Sequence, residues 1–96
     1  MTTKFMHFRN FVQGSGTVAA LPHGGATVAY VEGDTGISYG VAYCHDNDRY
    51  DRKKGRLIAE GRMFNERTSK AAPLPVESFR KEMEIIMAGS GFYRRT

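Results

Sequence analysis

A single cysteine, Cys44, in 96 residues excludes an internal disulfide framework and fits a reducing compartment. No apolar run approaches the ~18–20 residues that a membrane-crossing helix needs. The opening MTTKFMHFRN has no apolar core followed by a small-residue cleavage site, so it is not read as a secretory leader. The expectation is a cytoplasmic protein without a membrane partner. Motifs of common chemistries are missing as well. Structural zinc takes about four converging ligands, whereas Cys44-His45-Asp46 has no second cysteine near it, and His7 and His23 stand in other contexts. Cys44 and His45 are adjacent on an extended chain and point in opposite directions, a poor arrangement for a nucleophile and its base. Gly14-Ser15-Gly16 and His23-Gly24-Gly25 match neither the Walker A pattern nor the GxGxxG pattern. Asp46, Asp48 and Asp51 alternate as in a calcium loop but lack its central glycine and closing glutamate. Zinc-finger spacing, the RNP aromatic signature and the GXXG loop are also missing. The reading is of a protein that is not an enzyme and holds neither a metal nor a cofactor.

What the chain does have is localised positive charge. Residues 49–62 carry six basic side chains against two acidic ones, an excess equal to the net charge of +4 of the whole chain. A pI near 9.5 favours polyanions or acidic protein surfaces as partners. Asp48 followed by Asp51 approximates a capping box, which predicts a helix from about Arg49. At the helical period, Tyr50, Leu57, Ile58, Gly61 and Phe64 share one face, read as the packing stripe. Arg49, Arg52, Lys53 and Arg56 share another, left to solvent or a partner. Gly61 within the stripe predicts close approach to a sheet.

Ninety-six residues make one domain, 1–96, with a modest core; oligomerisation, such as a homodimer, would strengthen it. Residues 4–12 read as a short strand or extended arm. Thr17–Leu21, Ala26–Glu32 and Ile37–Cys44, separated by glycine-rich turns, read as an antiparallel meander. In the last of these, Ile37, Tyr39, Val41 and Tyr43 point one way, toward the expected core. Ser38, Gly40, Ala42 and Cys44 form a smooth opposite face, either solvated or open to another backbone. Residues 65–75 read as a connector, and Pro75 suits the first position of a second helix. On that helix Val76, Phe79, Met83, Ile86 and Met87 share a face, Glu77–Lys81 and Arg80–Glu84 form outward pairs, and Gly89-Ser90-Gly91 ends it. A flexible tail follows from about residue 92. The fold class is α+β: a small antiparallel sheet of three to four strands, packed on one face by two α-helices.

The run from Gly40 to Arg62, GVAYCHDNDRYDRKKGRLIAEGR, resembles a segment of small bacteriophage-encoded accessory proteins. In these a strand ending in an aromatic and a cysteine leads through a polar turn into a Lys-Lys-Gly-Arg helix. The resemblance covers about a quarter of the chain. It implies a protein that binds host or defence machinery without catalysis, and it weights Arg52, Lys53, Lys54, Arg56 and Arg62 as contacts. The expectation is a non-enzymatic binding protein that inhibits or redirects a host nucleic-acid-handling or defence complex. Its contact set is Arg49, Arg52, Lys53, Lys54, Arg56, Arg62, Arg94 and Arg95. The alternative is direct binding of DNA or RNA phosphates through the same helix.

Overall fold

A computed structural model describes residues 2–14, 17–21 and 23–94. The chain is α+β, in the order β1 (Lys4–Phe8), β2 (Phe11–Gly14), β3 (Thr17–Ala20), β4 (His23–Glu32), β5 (Ile37–Arg49), α1 (Arg52–Phe64), β6 (Lys70–Ala72) and α2 (Val76–Gly89). Four strands form an antiparallel sheet in the order β1-β4-β5-β6, and β2 and β3 form a separate hairpin. Residues 4–8 are therefore a strand. The run expected to open the meander, Thr17–Leu21, lies apart from the main sheet, paired with Phe11–Gly14. Within the expected connector, Lys70–Ala72 pairs with Ile37–Tyr39 as an edge strand.

The pleat sorts the side chains. Met6 and Phe8 on β1, Ala26, Val28 and Tyr30 on β4, and Ile37 on β5 form one core with Phe79, Met83 and Met87 of α2. The Phe79 ring lies 5.2 Å from Tyr30 and 5.0 Å from Tyr39, at distances where tilted aromatic pairs attract. The alternate residues, Ala29 and Ala42, pack with Ala59 and Met63 of α1. The two helices thus cover opposite faces of the sheet, which corrects the expectation of both on one face. The reason is the period of a strand: large residues at 28, 30 and 39 and small ones at 29, 40 and 42 point to opposite sides.

The smooth face of β5 is the one that admits another backbone. A Cβ added at Gly40 would collide with the α1 backbone at Ala59, Arg62 and Met63. Gly55, Ala59 and Met63, at i, i+4 and i+8, form the inward line of α1, and Gly55 lies against the Thr27 side chain. The expected stripe is overturned. Leu57 and Phe64 remain 65% and 70% exposed, Gly61 has nothing near it, and Tyr50 precedes the helix. The helix also starts later than expected, because β5 runs on to Arg49. Between the pairs Gly25–Cys44 and His23–Arg49 the register shifts, so that two steps on β4 face five on β5. Asp51, not Asp48, is the N-cap and accepts the Lys54 backbone N–H at 3.1 Å.

Helix α2 follows its pattern more closely. Phe79, Met83 and Met87 are buried, although Ile86 is exposed and Pro75 occupies the N-cap position before the first helical residue. Phe92 N–H donates to Met87 O at 2.8 Å and Gly91 N–H to Ala88 O at 3.0 Å, with Gly91 at φ +83. This is a Schellman termination, which needs the left-handed glycine. It turns the chain so that Phe92 packs on the α2-side core and Tyr93 pairs with Arg9, where a flexible tail was expected. The outward pairs expected along α2 are replaced, among the described residues, by one ion pair, Arg94 to Glu84 at 3.0 Å.

Candidate functional site

On the α1 side of β1, alternation places Phe5 and His7 in a row, and the register sets His7 beside Thr27 of β4. Tyr50, at the junction of β5 and α1, closes the group. Its hydroxyl lies 2.9 Å from His7 Nδ1, and Thr27 Oγ1 lies 3.2 Å from that hydroxyl and 3.3 Å from the same nitrogen. The Phe5 ring stacks on His7 at 6.5 Å.

Guanidinium groups surround this polar knot. Arg9 sits 4.5 Å over the Tyr50 ring, within cation–π range, and donates to Leu21 O at 2.8 Å. Arg56 lies 6.0 Å from the centre of the Phe5 ring, and Arg52 precedes it by one helical turn. Burial, then the charges of Arg52, Arg56 and Arg94, lower the His7 pKa from 6.5 to about 4. The imidazole is therefore neutral at pH 7. In the tautomer protonated at Nε2, its Nδ1 accepts the Tyr50 hydroxyl. Burial raises the Tyr50 pKa, which keeps that hydroxyl protonated and able to donate. The surface around the knot is positive and suited to carboxylates or phosphates.

A second feature is a cavity of about 180 Å³ between the end of β5 and the start of α1, lined by Thr27, Cys44, Asp48, Tyr50, Lys54 and Ile58 among others. Ligand pockets usually span roughly 300–1,000 Å³, so this space suits a few waters or a small ion better than a nucleotide. The Cys44 thiol donates to Asp48 O at 3.3 Å. Among the described residues no three His, Cys, Asp or Glu side chains converge as a metal site, and no helix is long and apolar enough to cross a membrane.

The basic residues singled out in the sequence do not form one face. Arg52 and Arg56 flank the β1 side of α1, where they meet Phe5 and His7. Lys53 lies farther outward and, with Phe5, Arg56, Leu57 and Glu60, lines a shallow depression between α1 and β1. Lys54 and Arg49 lie at the cavity. Arg62 is on the opposite flank, donating to Val41 O at 2.7 Å. Arg94 pairs with Glu84, and Arg95 lies outside the described residues. The sequence did not point to Arg9, His7 and Thr27 as parts of the site, and it set Tyr50 on the packing stripe of the helix. The alternation Phe5-x-His7-x-Arg9 was the available signal, but a strand at 4–8 had to be certain first.

No family model matches the chain, and neither a curated protein nor a solved structure is found to be similar to it.

Proposed function

We propose that the protein is a non-enzymatic binding protein whose helix α1, with the neighbouring edge of β1, engages an acidic surface of a partner protein. The observation that carries this reading is the outer face of α1. Leu57 and Phe64 stand largely in solvent on a helix that also presents Lys53, Lys54 and Arg56. Protein interfaces combine apolar anchors with arginines in this way. A phosphate backbone gives nothing for Leu57 and Phe64 to contact. The finer reading, of a phage-encoded protein that blocks or redirects a host nucleic-acid-handling or defence complex, rests on the resemblance carried by residues 40–62.

Direct nucleic-acid binding is the second reading, favoured by the arginines interleaved with Phe5, His7 and Tyr50, since aromatic rings among cations are how single strands are held. Fluorescence anisotropy with short DNA and RNA across salt separates the two. Binding whose affinity falls steeply with salt, through counterion release, and which is unaffected by Leu57→Ala, supports nucleic acid and rejects the protein partner. Capture of a host protein that is lost both in Leu57→Ala and in the combined Arg52→Glu, Lys53→Glu, Arg56→Glu variant supports the proposal.

A further inference from the structure

Strand β1 has two sides, and among the described residues only one is paired along its length, with β4. Just beyond the strand, Arg9 N–H donates to Tyr93 O at 2.9 Å and Tyr93 N–H to Arg9 O at 2.8 Å. Arg9 therefore directs its backbone groups away from β4. Backbone direction alternates along an antiparallel strand, so the N–H and C=O groups of Phe5 and His7 point to that same outer side, where no partner lies among the described residues. The pair at Arg9 demonstrates that this edge accepts a strand. The opposite edge of the sheet, β6, is only three residues long and is followed by Pro73, so it has little capacity to template pairing.

The ground beside this edge is already described. Phe5 and Leu57 give the depression between β1 and α1 an apolar part, and Lys53 and Arg56 a positive one, with Glu60 also in its lining. Lys4 and Arg9 stand at the two ends of the strand. A second copy of this chain would bring the same cations against themselves. The charge favours an acidic occupant.

We propose that the outer edge of β1 receives an extended acidic segment of the partner as an additional strand, with an apolar side chain seated on Phe5 and Leu57 and a carboxylate against Arg56. This deepens, and rests on, the reading of α1 as a surface for an acidic protein. Strand addition gives affinity through backbone hydrogen bonds at Phe5 and His7 and selectivity through alternate side chains. The charges of Arg52 and Arg56, which add to burial in keeping His7 neutral, are also the ones that draw the carboxylates in.

The test uses the full chain and the blocked peptide acetyl-Thr-Glu-Thr-Phe-Thr-Glu-Thr-amide, with amide hydrogen exchange read by NMR. In the free protein the Phe5 and His7 amides are expected to exchange fast while Met6 and Phe8 are protected. Saturating peptide should slow Phe5 and His7 at least about tenfold, the effect of gaining a backbone hydrogen bond. Two N-methylated versions, modified at odd or at even positions, should differ in affinity by about tenfold, because only one blocks the inward amides. Protection of Phe5 and His7 in the free protein, by the chain itself or by a second copy, overturns the proposal. Equal binding of the two methylated peptides overturns strand addition while leaving the acidic-partner reading intact. If the peptide does not bind but polyglutamate does, and Arg56→Glu abolishes that binding, the edge proposal fails alone; if neither binds, both readings fail.

Discussion

The two faces of the sheet are built on opposite plans. Toward α2 the contacts are between large side chains: Phe8, Tyr30, Ile37, Phe79, Met83 and Met87. Toward α1 they are between smaller ones, with Ala29, Gly40 and Ala42 meeting Ala59, Gly55 lying against Thr27, and Met63 the largest buried residue of that helix. Helix α2 docks through large side chains, Phe79, Met83 and Met87, although Ile85 and Ile86 of the same helix stay exposed. Helix α1 is held by close approach of its backbone, which leaves Leu57 and Phe64 outside. A helix docked by its small residues can keep its large ones for something else, and this connects the packing of α1 to the binding role proposed for it.

The contrast can be broken first from the α2 side. Phe79→Ala removes a ring that touches Tyr30 and Tyr39 and should cost about 3–5 kcal/mol, the usual range for a buried aromatic. Chemical denaturation should show the midpoint falling with little change in slope. In a domain whose whole stability is of order 5–15 kcal/mol, this is the largest single effect expected. The corresponding change toward α1 is an addition. Gly40→Ala puts a methyl into the α1 backbone at Ala59, Arg62 and Met63 and should cost about 1–3 kcal/mol through overpacking. If thermal melting shows Gly40→Ala to be neutral, α1 is not held by close approach.

The unequal legibility of the two helices in the sequence has the same origin. Helix α2 announces itself, because its inward residues Phe79, Met83 and Met87 are large, apolar and recur at helical spacing. Helix α1 misleads, because apolar side chains are ordinarily taken as the buried ones, and here that rule selects Leu57, Gly61 and Phe64. The correct line, Gly55-Ala59-Met63, has its counterpart in the smooth face of β5, Ser38-Gly40-Ala42-Cys44. Each half of that match is visible in the sequence; joining them takes the sheet register. The helix start is blurred in the sequence by three aspartates, of which Asp51 caps the Lys54 N–H. The arginines of α1 stand out in the sequence by their charge, but their convergence with Arg9 on the His7–Tyr50 knot depends on contacts between residues some forty positions apart. Strand β6, three residues long, is too short to leave a periodic signal.

Acidification sharpens the comparison because His7 lies only on the α1 side. Its folded pKa of about 4 is below the ordinary 6.5, so the unfolded chain binds the proton more readily between those values. Stability from this group is complete above about pH 6.5 and declines as pH falls toward 4. Imidazole proton shifts followed by NMR should titrate near 4. Exchange at the Thr27 and Tyr50 end of the site should rise before that of the α2-side core. A midpoint near 6.5 would mean that His7 is neither buried nor within the field of the arginines.

The smallest effect on folding is expected where the sequence alone would place a large one. Leu57→Ala at a core position would cost about 2–5 kcal/mol. At the 65% exposure observed for Leu57, the cost should stay within about 0.5 kcal/mol, as for surface substitutions generally. Partner binding should nonetheless weaken, since an apolar anchor at an interface is worth more than its rim. The two measurements read different things from one residue. Unchanged melting with weakened binding places Leu57 in a contact surface. Unchanged melting with unchanged binding makes it an ordinary exposed leucine and moves the interface toward Arg52 and Arg56 at the β1 edge. A large loss of stability would mean that α1 docks through the stripe its apolar residues suggest, and the contrast between the two faces would disappear.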